Sequence, residues 1–144
     1  MKIALVHDHL AQDGGAEKVL HVFHKMWPKA PIFVMVQDTE HGPKNFTDAK
    51  IHTSFIQRLP FGVKKYKWFL PLMPTAFEKF DFSGFDVVLS SASGLAKGVL
   101  TKPETLHISY CHTPTRYLWS DTHEYVNELP YSRITKKIIP FFLT

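Results

Sequence analysis

The feature that most constrains the fold is a glycine turn between a short apolar run and an amphipathic helix. Residues 2–8 form the apolar run, and Asp13, Gly14 and Gly15 break it. Apolar residues then recur at helical spacing until Pro28, which closes the helix. A second apolar run follows within a few residues. Strand, turn, helix and strand within about 35 residues indicate a βαβ unit, whose crossover is almost always right-handed.

The rest of the chain continues this alternation. Apolar runs at 85–91 and 105–111 predict two more strands, and 51–59 predicts a weaker strand or a turn. The segment 61–82 is rich in aromatic residues and contains two prolines, which predicts two short helices rather than one. A further short helical segment is predicted at 93–99. Alternating strands and helices predict an α/β domain with a mostly parallel sheet flanked by helices.

Composition places the chain among ordinary globular proteins. A length of 144 residues, 44% hydrophobic and 21% charged, suits one domain with its own core. The single cysteine, Cys111, cannot build a disulfide framework, and neither a signal peptide nor a membrane-spanning run is visible, so we expect a cytoplasmic protein. The net charge of +4 admits phosphates, nucleic acid or an anionic membrane face as partners and does not choose among them. Among these partners we expect no nucleic acid.

The glycine turn is the first candidate for chemistry, because ligands of parallel sheets bind beyond the carboxyl ends of the strands. Loops 7–15, 90–94 and 111–116 are expected to share that rim. Gly14 and Gly15 would let the main chain approach an anion such as a diphosphate, or they simply form a tight turn. The glycine patterns of dinucleotide oxidoreductases and P-loop NTPases are not present.

Histidines and one arginine are the other candidates at this rim. His112 follows a strand end, where it would donate to a phosphate or sugar hydroxyl, or bind a main-chain carbonyl as a structural histidine. Arg116 would contact phosphate or pair with a surface carboxylate. His7 and His9 are predicted to share one side of the first strand, with Asp8 on the other. We expect His7 and His9 to contact an acceptor or phosphate rather than a metal, because no further ligands clearly converge.

A basic and aromatic segment is a candidate for membrane contact. Lys64, Lys65 and Lys67 stand beside Trp68 and Phe69. This combination suits an anionic membrane surface, where lysines meet headgroups and aromatic rings insert slightly. The alternative is a helix whose aromatic face belongs to the core and whose lysines are solvated.

Four segments in this order and spacing resemble family 4 glycosyltransferases of bacterial polysaccharide biosynthesis, which have the GT-B fold. The segments are His7-Asp8-His9-Leu10, Gly14-Gly15-Ala16-Glu17-Lys18-Val19, Leu70-Pro71-Leu72-Met73-Pro74 and Tyr110-Cys111-His112-Thr113-Pro114. The resemblance covers nearly the whole chain. It implies that residues 1–144 are the Rossmann-like, acceptor-side domain at the amino terminus, incomplete before its last strand and lacking the donor domain.

The resemblance also implies functional roles. Gly14 and Gly15 would approach the donor diphosphate, and His112 would be the catalytic histidine near the donor sugar. The whole enzyme would transfer sugar with retention of configuration from a GDP- or UDP-sugar to a lipid-linked or polysaccharide acceptor, without a tightly bound cofactor or metal. We expect the chain to be inactive alone and peripheral at the inner membrane face. The alternative is a non-catalytic binding or interaction module with the same fold.

The carboxyl-terminal tail is strongly apolar, and exposed apolar surface drives association. We therefore expect a homodimer through that tail. Its apolar residues are Ile134, Ile138, Ile139, Phe141, Phe142 and Leu143.

Overall fold

The computed structural model of the protein describes residues 1–113, which form a five-stranded parallel sheet flanked by helices. The strands are β1 (Ile3–His7), β2 (Ile32–Val34), β3 (Ile51–Thr53), β4 (Val87–Ala92) and β5 (Leu106–Cys111). Their order across the sheet is β3-β2-β1-β4-β5, and every neighbouring pair is parallel. The predicted α/β, Rossmann-like fold class is confirmed.

Two α-helices and three 3-10 helices connect the strands. They are α1 (Gly15–Met26), a 3-10 helix Phe55–Arg58, a 3-10 helix Tyr66–Leu72, α2 (Met73–Glu78) and a 3-10 helix Ala96–Gly98. The two short helices predicted within 61–82 are present. The ambiguous segment 51–59 contains both a strand and a helical turn, and the Ser54 side chain caps that turn by accepting the N–H of Ile56.

The core lies on both faces of the sheet. Ala4 and Val6 pack with Phe77 of α2 on one face, and Leu5 packs with Leu20 of α1 on the other. Because successive residues of a strand point to opposite faces, a strand covered on both sides must be apolar throughout. This requirement explains why the central strands were recognisable in the sequence as continuous apolar runs.

Some large apolar side chains are exposed in the described part of the chain. Leu106, Ile108 and Tyr110 of the edge strand β5 are exposed. None of the helices within residues 1–113 is long and apolar enough to cross a bilayer. Arg116 and the apolar tail at 134–143 lie outside the described residues.

Candidate functional site

The candidate site lies where the strand order reverses. β1 stands at the centre of the sheet between β2 and β4. The chain passes from β1 to β2 and β3 on one side, and then crosses to β4 and β5 on the other side. A crevice forms beyond the carboxyl ends at such a point. Because β1, β4 and β5 are parallel, the glycine turn, the loop after β4 and His112 all follow strands that end at this same edge.

Asp8 organises the loop after β4. Its Oδ2 atom accepts the N–H groups of Ser93 at 2.7 Å and Gly94 at 2.8 Å. Its Oδ1 atom accepts the N–H of Ala96 at 2.8 Å. One carboxylate thus binds three donors of a loop that would otherwise present them to the crevice. This role was not predicted from the sequence, although a carboxylate directly after a central strand is the signal for it.

His7 is buried beneath the glycine turn and bonded inward. Its side chain is 2% exposed, and Nδ1 donates to the main-chain carbonyl of Ser91 at 2.7 Å. Its Nε2 atom lies 3.7 Å from Oε1 of Glu17, an ion-pair distance longer than a hydrogen bond. In this arrangement both ring nitrogens of His7 face groups of the protein.

The structure separates His7 from His9, which were expected on one side of the strand. His7 faces Glu17 of α1, whereas His9 packs against Tyr66 near the core of the opposite face. The reason is that β1 ends at His7, so strand alternation does not extend to His9.

Glu17 is a buried carboxylate that the sequence analysis did not identify. Its Oε2 atom accepts the N–H of Gly14 at 2.9 Å, so it fastens the turn from within the first turn of α1. Burial raises the pKa of this carboxyl, but His7 and main-chain N–H donors, including that of Gly14, outweigh it and lower the pKa overall. Glu17 is therefore ionised at neutral pH. A glutamate three residues after a helix start is the sequence signal for such a cap.

His112 is half-buried and hydrogen bonded to the end of β4. Its Nε2 atom lies 2.8 Å from the Ser91 hydroxyl, and its main-chain N–H donates to the carbonyl of Ala92. The ring meets Tyr110 edge-on. Burial and then the neighbouring His7 lower the pKa of His112, while Asp8 and Glu17 oppose this. His112 is therefore a neutral imidazole at neutral pH, with one donor and one acceptor nitrogen.

The two glycines of the turn differ in the space that surrounds them. A Cβ atom on Gly14 would lie 3.0 Å from Oε2 of Glu17, so that position is tight. A Cβ atom on Gly15 would have no neighbour within 4 Å. The described packing therefore needs a small residue at 14 but not at 15. Open space before a helix amino terminus is what an approaching anion requires.

A cavity of about 280 Å³ opens beside this rim. Its lining residues are Asp8, His9, Gln12, Met35, Tyr66, Lys67, Leu70, Met73, Phe77, Ser93, Gly94 and Leu95. The His9 Nε2 atom lies 3.4 Å from the Tyr66 hydroxyl, and its Nδ1 is buried without a hydrogen-bond partner among residues 1–113. Burial, and then His7, lower the pKa of His9. A neutral imidazole in a largely apolar cavity suits a ligand hydroxyl.

Metal ligation is not favoured by the geometry of the described residues. The Asp8 oxygens and the His7 Nδ1 atom are engaged in hydrogen bonds within the protein. Asp38, Glu40 and His41 come within 4.8 Å of one another after β2. However, Asp38 already accepts the N–H groups of Glu40 and His41, so this exposed group is explained as a loop cap.

The basic and aromatic segment borders the cavity through the 3-10 helix Tyr66–Leu72. Lys64, Lys65, Lys67 and Trp68 are exposed, and the Lys65 ammonium lies 4.1 Å from the Trp68 ring centre. Phe69 instead packs against the core. Two apolar residues outside the expected set, Phe61 and Leu72, are exposed at 64% and 43%.

Comparison with known proteins gives one weak structural likeness. Neither a family model nor a curated protein matches this sequence. A solved structure described as lipopolysaccharide outer core galactosyltransferase WaaB, apo form, is similar over 62% of this chain with 20% identity and a TM-score of 0.32. The present chain spans 26% of that chain. The sheet order and the site geometry above do not depend on this likeness.

Proposed function

We propose that this chain is the acceptor-side domain of a glycosyltransferase that moves a sugar from a nucleotide-sugar to a lipid-linked or polysaccharide acceptor. One observation carries the proposal. The glycine turn and His112 follow strands that end at one edge of the sheet, beside a cavity that His9 lines. An anion site, a neutral donor and an apolar-walled cavity are the parts that one side of such a reaction needs.

On this proposal the rim contacts the donor. The turn at Gly14 and Gly15 lets the main chain approach the diphosphate, with the N–H of Gly15 as the donor, because Glu17 already accepts the N–H of Gly14. His112 donates a hydrogen bond to the same phosphate or to the sugar. Donors placed where the departing diphosphate gathers charge lower the barrier, since they need no reorganisation during reaction. Arg116 is a further candidate for phosphate contact.

The cavity receives the acceptor. His9 and Tyr66 offer polar atoms for an acceptor hydroxyl, and Leu70, Met73 and Phe77 offer an apolar surface for a lipid portion. The basic segment beside the cavity would bring the domain to an anionic membrane at the cytoplasmic face.

Other parts of the proposal follow from the resemblance alone. They are retention of configuration, a GDP- or UDP-sugar donor and the lack of a tightly bound cofactor. A homodimer through the apolar tail is proposed instead from the composition of that tail. We also propose that these 144 residues transfer no sugar by themselves, because they supply only one side of a transferase cleft.

A non-catalytic binding module is the second candidate. The cavity with His9 and Tyr66 is formed by described residues alone, and so it can bind a ligand without a partner domain. Such a module would bind a saccharide or amphiphile in the cavity and ignore nucleotide diphosphates.

The test is a titration of the isotope-labelled chain followed by NMR. We expect UDP or GDP to shift the amide signals of Gly14, Gly15 and His112, and octyl glucoside to shift those of His9 and Tyr66. A response in the cavity without one at the rim would favour the binding module. No saturable response to either probe would contradict both functions.

Replacing Gly15 with valine is expected to weaken UDP binding by about tenfold or more, equivalent to about 1.4 kcal/mol. The added side chain has room in the fold but occupies the space before the helix terminus. Calorimetric titration measures the affinity. In an enzyme that contains the donor domain, Gly15→Val and His112→Ala should each lower sugar transfer sharply.

The matched control is Gly84→Val. Gly84 also has no neighbour within 4 Å of an added Cβ, but it precedes β4 and so lies at the opposite edge of the sheet. This variant should bind UDP like the unmodified chain. Equal affinity of the Gly15→Val variant would rule out the glycine turn as the diphosphate site.

Reversing the charge of Lys64, Lys65 and Lys67 to glutamate is expected to abolish sedimentation with phosphatidylserine vesicles. Each lysine near an anionic surface contributes about 1 kcal/mol of binding. The control reverses three exposed lysines of another surface, Lys18, Lys25 and Lys29. If both triple variants lose binding equally, attraction is due to net charge, and this segment is not a specific membrane contact.

A further inference from the structure

A continuous set of polar contacts joins the glycine turn to His112 through the interior. The Gly14 N–H binds Glu17, Glu17 faces His7, His7 donates to the Ser91 carbonyl, and the Ser91 hydroxyl contacts His112. The three connecting residues, Glu17, His7 and Ser91, are called the buried network below. Each is at most 2% exposed, so water does not replace these contacts.

The first link of the buried network fixes the position of protons. A carbonyl oxygen can only accept, so the 2.7 Å contact to Ser91 places a proton on Nδ1 of His7. The opposite nitrogen, Nε2, faces an oxygen of the ionised Glu17 at 3.7 Å. His7 therefore carries a proton on Nδ1, and its Nε2 side lies against the Glu17 carboxylate.

The last link fixes His112 in the same way. Within residues 1–113, the fully buried Ser91 hydroxyl has one partner, Nε2 of His112 at 2.8 Å. If His112 donated from Nε2, the hydroxyl proton of Ser91 would be buried without an acceptor. If Ser91 donates, both groups are satisfied. The neutral ring of His112 then carries its proton on Nδ1.

We infer that Glu17, His7 and Ser91 are positioning residues that hold the glycine turn and fix His112 as the Nδ1–H tautomer. Their value for catalysis rests on the proposed function, whereas the proton positions do not. His112 uses Nε2 for Ser91 and keeps Nδ1–H as its donor. Phosphate oxygens accept and cannot donate when ionised, so only this tautomer gives a favourable contact with a diphosphate.

Long-range proton–nitrogen NMR of the imidazole rings at neutral pH tests the inference in the unmodified chain. We expect His112 to carry its proton on Nδ1 and His7 to carry one on the Nδ1 that donates to Ser91. Replacing Ser91 with alanine should shift His112 toward the Nε2–H tautomer, because Nε2 loses its donor. A His112 ring protonated on Nε2 in the unmodified chain would overturn the inference, whether or not the variant folds.

Ser90→Ala is a matched control from the adjacent position. The Ser90 hydroxyl lies 3.0 Å from Nε2 of His107, so the same change there removes a serine–histidine contact outside the buried network. The ring of His107 should respond, and that of His112 should not. An unchanged His112 in Ser91→Ala, or a changed one in Ser90→Ala, would show that Ser91 does not set the tautomer.

Glu17→Gln tests the end of the buried network that lies next to the glycine turn. The glutamine amide oxygen can still accept from Gly14, while its NH₂ group donates to Nε2 of His7. We expect the fold to persist and His7 to keep its proton on Nδ1. A His7 ring without a proton on Nδ1 in the unmodified chain would overturn the first link of the buried network. A failed UDP titration with these proton positions intact would instead refute the proposed function alone.

Discussion

Replacing Asp8 with alanine is expected to lower the free energy of unfolding by about 3 kcal/mol. Three main-chain N–H groups of the loop after β4 lose their acceptor at once. A hydrogen bond to a charged group contributes about 1.5–3 kcal/mol, but Asp8 is half-buried and water can reach part of the loop. The total is therefore smaller than three full bonds. Urea denaturation measures the change, and hydrogen exchange at Ser93, Gly94 and Ala96 should accelerate.

Asp13→Ala is the control for the loss of a negative charge near the same rim. Asp13 is exposed in the glycine turn, so its removal should change the free energy of unfolding by less than about 0.5 kcal/mol. A loss of stability in Asp8→Ala no greater than in Asp13→Ala would show that the three bonds do not hold the loop. Asp8→Ala should also weaken octyl glucoside binding, because Ser93 and Gly94, which Asp8 holds, line the cavity.

The order and type of the elements could be predicted because their signals are local. The apolar run at 85–91 corresponds to β4 at Val87–Ala92, and that at 105–111 corresponds to β5 at Leu106–Cys111. The run that forms β4 ends in serines, and α1 lies between the glycine turn and Pro28. These features act within a few residues and need no knowledge of the partner strand.

The contacts that build the site could not be predicted in the same way. Asp8 and Ser93 are 85 positions apart, and they meet only because β1 pairs with β4. Glu17 looks like an ordinary charged residue of an amphipathic helix until its neighbour His7 is known to be buried below it. Sequence patterns give the face of an element, but the pairing of strands decides which faces meet.

The basic segment shows a second limit. Trp68 and Phe69 were candidates for membrane contact together, with a core position of the aromatic face as the alternative, and Phe69 packs inward while Phe61 and Leu72 are exposed. The segment Tyr66–Leu72 is a 3-10 helix, with a non-helical residue at Phe69. Three residues per turn and a local kink rotate the side chains away from the positions that an α-helical spacing would assign.

Replacing Phe82 with alanine is expected to lower the free energy of unfolding by about 4 kcal/mol, the cost of a cavity left by a buried aromatic ring. Phe82 is 2% exposed, and its ring centre lies 4.9 Å from that of Phe33 and 6.2 Å from that of Phe80. These edge-on contacts add to the stabilisation that the buried apolar area of the ring gives. Chemical denaturation followed by fluorescence or circular dichroism gives the stability.

Phe61→Ala makes the same chemical change at an exposed position and should cost less than about 1 kcal/mol. The effect of Phe82→Ala should also reach the candidate site, because Phe80 packs edge-on against both Phe82 and Phe77, and Phe77 lines the cavity. We therefore expect weaker octyl glucoside binding by Phe82→Ala but unchanged UDP binding, since the glycine turn lies on the α1 side of the sheet. Equal losses for both probes would mean that the variant loosens the whole domain, and that the two faces of the sheet do not support the two ligands separately.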